Sequence, residues 1–482
     1  MTAPLFRRSA AFPARTTRAA WSFWTAGLTA LGLLLTAAPA RAETAAVDDT
    51  SPEALDQRLR ILERQLELAR EDQAAKAKDA TTTRFDERGL SVKKGDFEFK
   101  LRGTAQADLR FFLDDSAPRS NDTLILRRLR PNFEFALGQL ASFRLQPEFA
   151  GDATTVIDAH VDLRFTPAAN IRVGLQKPPV GLERLVSASS LEFIERGFAT
   201  ELAPSRDLGV LLHGDLLGGT LNYGLGYFNG APDGRNAPTT DGDNRKELAA
   251  RLFAEPFKND VGALQGLGFG LAYTQGNKLG EGNNFLPRYR TAGQNVFFQY
   301  QAATAASGTT AATPGVLASG EHLRLSPQFT FYRGAFGLLG EYITSEQEVT
   351  RGSAAGSFEH EAWNLYATYA LTGEDASFRG IARPAQPFAL GTSGWGAVEL
   401  ALRYGVLTLD DQVFVGDAAT RFANPASSAR EASSYTVGIN WYLTSNAKLV
   451  LNYSNTGFEG GAAGGADRED EKALFTRFQV AF

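Results

Sequence analysis

The chain has no cysteine, one methionine and four histidines among its 482 residues. Without thiols there is neither a disulfide framework nor a sulfur-ligated metal site. His160, His213, His322 and His360 are never paired at metal-ligand spacing, and no Gly-x-Ser-x-Gly elbow occurs. Zinc chemistry and serine hydrolysis are therefore not expected. The glycines of Gly224-Leu225-Gly226 and Gly266 to Gly270 precede no helix, so they read as strand positions beside aromatics rather than as a nucleotide loop. The expectation is a chain that is not an enzyme and takes no cofactor.

Long apolar runs are equally scarce. One exists, Trp21 to Thr36, behind Arg7, Arg8, Arg15 and Arg18 and before the small residues Ala38-Pro39-Ala40 and Ala40-Arg41-Ala42. Basic region, apolar region and small-x-small site make residues 1–42 a secretory signal peptide. The run is short for a membrane span, which needs roughly 20 apolar residues. No later stretch could cross a membrane as a helix, which leaves strands. A mean hydropathy of −0.20 fits strands that alternate oily and wet faces. Formal charge is −5, and the first 42 residues hold five arginines and no acid, leaving 44 bases against 54 acids, a net of −10. Such a chain is not expected to bind nucleic acid.

Residues 43–89 carry a different signal. Glu53 to Asp79 reads as a helix, with Pro52 at its start and Ser51 placed to cap it. Leu55, Leu59, Leu62, Leu66 and Ala69 follow at steps of four and three, the seam of a coiled coil about two heptads long. So short a helix makes sense where several copies are held together. A solvated amphipathic helix on its own chain is the other reading.

From residue 90 to 482 the period is two. Asp96 to Arg102, Phe143 to Gln146, Val161 to Phe165 and Ile171 to Gln176 each alternate apolar with polar residues, placing them on opposite faces of a strand. Tight turns (Gly138 to Leu140, Thr166 to Asn170, Leu217 to Gly219, Thr444 to Asn446) contrast with long loops rich in small and polar residues. Those loops are Gly230 to Asn244, Gly276 to Gly293, Ala302 to Gly320, Gly416 to Ser428 and Glu459 to Asp467. Short turns at one end and long loops at the other are the habit of an outer-membrane barrel. At roughly 24 residues per strand with its loop, the 394 residues from Gly89 give about 16 antiparallel strands. Phe478, Val480 and Phe482 share one face of the last strand, a pattern for the outer-membrane barrel assembly machinery to read.

Several segments, in order, resemble the phosphate-selective porin O and P family. They are Asp96 to Gly103, Leu126 to Glu134, Val173 to Arg184 continuing through Ser187 to Phe193-Ile194-Glu195-Arg196, Leu371 to Glu374, Trp395 to Tyr404 and Gly438 to Leu443. The resemblance implies a 16-stranded barrel, a homotrimer in the outer-membrane lipid of a Gram-negative bacterium, and an inward-folded loop narrowing the pore. It also implies a ladder of Arg and Lys that passes small anions of the phosphate or polyphosphate type. The segment before the barrel would lie in the periplasm.

Anion selectivity needs cations at the narrow point, and arginine's planar fork suits a phosphate. Alternation puts Lys100, Arg102, Arg110, Arg128, Arg130, Arg144, Arg164 and Arg172 on the lumen face. Arg403 joins them if Leu400 and Leu402 face lipid, and Arg477 if Phe478 does. Lys177, Arg184 and Arg196 flank the segment most like the inward loop. Acids share that face, among them Glu98, Asp108, Glu134, Glu148, Asp158, Asp162 and Glu399, so each arginine is equally readable as half of a structural pair. Two further readings stay open. One is a general or cation-preferring porin of the same fold, and the other is an envelope tether that grips a partner through the coiled coil.

Overall fold

A computed structural model describes residues 52–113, 121–238, 240–307 and 311–482. The expected signal peptide and the expected Ser51 cap lie outside them. The helix α1, Pro52–Asp79, forms where expected. It is steadied by the pairs Arg60–Asp56 (2.8 Å) and Arg64–Glu67 (3.0 Å). Leu55, Leu59, Leu62 and Leu66 are all about half exposed along one seam. The structure shows a single helix with an exposed leucine stripe; it does not show a coiled coil.

From residue 82 the described residues are mainly strand and turn. Eighteen strands form one antiparallel sheet. The first two, Thr82–Asp86 and Gly89–Lys94, make a hairpin, so pairing starts within residues 43–89, ahead of the expected barrel. The other sixteen close into a barrel: each pairs with its sequence neighbour, and the last, Glu471–Ala481, pairs with the first, Phe97–Phe112. Closure removes both edges, the condition for crossing lipid with strands. The hairpin lies along the same edge of Phe97–Phe112 as the last strand, below it, with Leu90 opposite Leu101 and Ala481 opposite Thr104. Where they meet, the Phe482 ring lies under Gly103, and a Cβ there would come within 2.8 Å of it.

The barrel has two kinds of wall. Six consecutive strands between Ala141 and Ala254 are eight to twelve residues long. Seven between Leu267 and Gly460 run from twelve to seventeen. On the tall wall the alternation is regular apart from register shifts at Ala318–His322 and Ala429–Glu431. In Ala397–Thr408, Leu400 and Leu402 are 41% and 56% exposed while Arg403 is 5%. On the lumen side of both walls, glycines sit beside rings as read from sequence: Gly226 against Phe228, Gly268 and Gly270 against Phe253.

The division into short turns and long loops holds with exceptions. Residues 371–396 form a long segment at the short-turn end, and only Gly352 and Ser353 separate two strands at the long-loop end. The long segment packs rather than dangles: Ala376 donates to the Gly334 carbonyl, Phe388 to that of Leu443, and Ile381 is buried against Tyr442. Its apolar residues have a surface to cover, so it needs no strand.

Candidate permeation pathway

Between the strands Ala169–Gln176 and Asp207–Leu216 the chain leaves the wall and folds into the barrel. Two single helical turns, Leu182–Leu185 and Ala199–Leu202, give this segment its shape. Gly181, at φ 82°, starts the first turn; a Cβ there would sit 2.7 Å from Ala203 and 2.8 Å from the Arg184 Cβ. Only glycine meets both demands.

The segment is bonded to the tall wall. Glu341 accepts the N–H groups of Leu182 (2.6 Å) and Glu183 (3.2 Å). Asn452 accepts from Ile194 N–H, and Asn364 from Ala199 N–H. Lys448 donates to the Leu191 carbonyl, and Arg403 to that of Glu195, with its guanidinium 4.4 Å from the Phe193 ring centroid. Leu182 and Phe193 bury themselves against Leu339, Tyr366 and Ala401.

At the first strands the anchor is ionic. Glu195 receives Arg127 through Nε (2.6 Å) and Nη2 (3.1 Å), and Arg110 at 3.0 Å. Arg128 and Arg477 each lie 3.9 Å away. Burial pushes Glu195 up, but Arg127 and Arg128 outweigh it and hold the carboxyl well below its ordinary range. A bulge supplies the density of charge. Gln106 stands opposite Arg128 and Ala107 opposite Leu126, so Arg127 is an extra residue and turns inward beside Arg128.

What the segment leaves open faces the short wall. Toward the long loops, a cavity of about 320 Å³ is lined by nine arginines, with only Glu195 and Glu201 as acids. A second cavity of about 370 Å³ continues below it; Arg130 and Arg206 line both. Arg144, Arg172, Arg251 and Lys177 line the lower one, with Asp158 its only acid. Further down, Arg102 and Arg144 border a wider mouth, and Lys100, Arg164 and Arg172 a side pocket.

The sequence-selected residues thus divide. Lys100 pairs with Glu98 (2.9 Å), Arg102 with Glu134 (3.9 Å), Arg130 with Glu148 (2.5 Å) and Arg172 with Asp162 (2.8 Å). Arg144 is 4.0 Å from both Glu134 and Asp158. The exposed Arg164 side chain makes no ion pair or hydrogen bond among the described residues. All six border water. Arg110, Arg128 and Arg403 are buried holding the folded-in segment. Lys177 donates to the carbonyls of Arg184, Leu185 and Val186; Arg184 to that of Thr200; Arg196 to those of Glu183 and Val186. These three shape the segment's backbone while bordering the cavities.

Arg206, Arg235, Arg251, Arg288 and Arg290 were not singled out in the sequence. Arg251 had a usable signal, since Leu248 and Leu252 alternate with it outward. Arg288 and Arg290 flank Tyr289 in a short strand, Arg288–Arg290, within the expected Gly276 to Gly293 loop, and it pairs with Val296–Gln299 just beyond that loop. With Arg235 they form no ion pair among the described residues, and each keeps a buried nitrogen without a partner. A Ser345–His322–Asp233 cluster also exists, with Ser345 donating to Asp233 and 2.9 Å from His322. It is wholly buried beneath Arg324, with no room for a substrate.

A closed sixteen-stranded barrel with an inward segment and a water-facing passage is the architecture of an outer-membrane channel rather than of an enzyme. Residues 99–482 match the family described as phosphate-selective porin O and P, and the chain belongs to it. It is 24% identical over 413 residues to Porin O of Pseudomonas aeruginosa, covering 82% of this chain and 91% of that protein. A protein of Caulobacter vibrioides named only as uncharacterized is 24% identical over 382 residues, covering 76% and 70%. Among solved structures, outer-membrane expressed OmpT of Vibrio cholerae superposes with a TM-score of 0.51 at 11% identity, over 81% of this chain and 99% of that one, a likeness of fold.

Proposed function

We propose that this porin passes small anions, phosphate-type oxyanions among them, by passive diffusion along the short wall. The observation that carries the reading is the upper cavity, where nine arginines meet two glutamates. Arg235, Arg288 and Arg290 form no ion pair there among the described residues, an excess of positive charge that an entering anion would relieve. Arg130 and Arg206 hand the ion on, followed by Arg144, Arg172 and Arg251. The acidity of the mature chain favours a general or cation-preferring porin, but the acids bordering the passage are mostly paired.

The proposal extends to assembly. Eight residues at about 3.4 Å each, tilted by about 40°, rise only about 21 Å, short of the roughly 25 Å apolar band of a barrel. A wall that low is served by neighbouring subunits, which supports a homotrimer. The exposed leucine stripe of α1 fits a three-stranded clamp in the periplasm better than a tether. Phe478, Val480 and Phe482, outward and 45–58% exposed, would be what the barrel assembly machinery reads.

The test is the zero-current potential of the purified protein in a planar bilayer under a KCl gradient, with phosphate then titrated in. An anion-side potential with block by phosphate is expected. A cation-side potential would discard anion selectivity and keep the fold.

A further inference from the structure

The geometry points to a proton shared between Glu192 of the inward segment and Glu399 of the tall wall, which positions the constriction and releases it when lost. Tyr442 donates its hydroxyl to both carboxylates, 3.2 Å from Oε2 of each. Asn440 Nδ2 likewise reaches both, at 3.2 Å to Glu192 and 3.1 Å to Glu399. Two carboxylates bound by the same two donors are held against one another, and both are buried: Glu399 is 0% exposed and Glu192 7%.

The surroundings cannot neutralise two negative charges. Among the described residues Lys448 is the one cation facing the pair; its Nζ is bonded to the Leu191 carbonyl and lies 4.8 Å from the Tyr442 ring centroid. Arg477, beyond it, is taken up by both oxygens of Asp108. Tyr332 and Tyr366 approach from the neighbouring strands and Glu183 from the segment itself, and none of them brings positive charge. The backbone of Gly380 closes the side toward the turns. One ammonium balances one carboxylate, and the second is left neutral by a proton. Asn440 also donates to the Glu192 carbonyl. Burial, then the Glu399 charge, accordingly pushes Glu192 well above the usual carboxylate range.

This joint lies three residues from Glu195, the centre of the arginine anchor, and on the same short run as the Leu191 and Ile194 bonds. Ionising both carboxylates sets two like charges together in a buried site, and the only relief is for Glu192 to move into the lumen. Because protonation favours the closed joint, the constriction is firm at low pH and loosens as pH rises.

The experiment is single-channel conductance of the full protein between about pH 5 and about pH 10, for wild type, Glu192→Gln and Glu399→Gln. A glutamine amide supplies permanently the donor that the shared proton supplies. Wild type is expected to show roughly a twofold rise in conductance and open-channel noise at high pH, and both variants a flat profile. A step that survives in both variants, or no step in wild type, would overturn the proposal. Should a variant fail to fold, infrared difference spectra of wild type across the titration decide. Loss of a protonated-carboxyl band together with the conductance step supports it, and a step without that loss does not. The readout is conductance, so it is indifferent to whether the pore prefers anions.

Discussion

The two walls share one alternation rule and put their inner faces to opposite uses. Along the tall wall, inward residues such as Glu341, Asn364, Arg403, Asn440 and Asn452 bond the folded-in segment. Along the short wall, Arg144, Asp158, Arg172, His213 and Arg251 face water. An arginine in the lumen is therefore a structural clamp on one side and borders an open cavity on the other. The tall wall can hold the segment because its longer strands offer a deeper polar surface, and the backbone N–H groups of Leu182, Glu183, Ile194 and Ala199 find side-chain acceptors there.

The sharpest way to break that contrast is Glu341→Ala. It strips the acceptor from two buried N–H groups and from Ser326, at about 1–3 kcal/mol for each donor left unsatisfied. The segment should detach, raising single-channel conductance several-fold and weakening anion preference; an unaltered conductance would mean that the other anchors suffice. The double change Arg288→Ala with Arg290→Ala should leave the segment seated. Anion-to-cation permeability should fall by about two- to fivefold with little change in barrel stability, read from reversal potentials and from heat-induced unfolding on gels.

Glu201 gives a smaller, pH-driven effect. Burial pushes its carboxyl up to about 7, against the pull of Arg184. Since the raised value favours the neutral acid in the folded state, its contribution is intact below the ordinary carboxylate range and is lost as pH rises through about 7. Ionisation adds negative charge to the arginine cavity, so anion preference should decline from about pH 6 to about pH 8, and Glu201→Gln should flatten that decline. Smallest of all is Arg164→Ala at the exposed mouth, where reversal potential should move by no more than a few millivolts, screened by salt. A larger shift would mean that the mouth selects.

Much of this was legible in the residues. Period-two alternation, tight turns and length lead to sixteen strands, and outward Leu400 and Leu402 put Arg403 on the inner face as outward Phe478 does Arg477. The division of labour was not legible, because alternation reports which face a side chain takes and nothing of what stands opposite. Arg110 and Arg403 read the same as Arg144, yet the first two meet a carboxylate or carbonyl from a distant segment. Lys177 and Arg184 flank the loop-like segment in the sequence, but their donors go to backbone carbonyls that only the folded segment brings together. Residues 371–396 escaped because a packed coil has no period.

The bulge at Arg127 bears on how such a channel can change. A substitution on a strand trades one inward side chain for another, and the number facing the passage stays fixed. One inserted residue instead adds a guanidinium to the interior while every lipid-facing leucine keeps its place, as Leu126 and Leu129 do here. Deleting Arg127 would reverse the facing of half the strand. In this porin, the reading frame of a strand is thus a heritable setting for lumen charge, altered by insertion and deletion rather than by exchange.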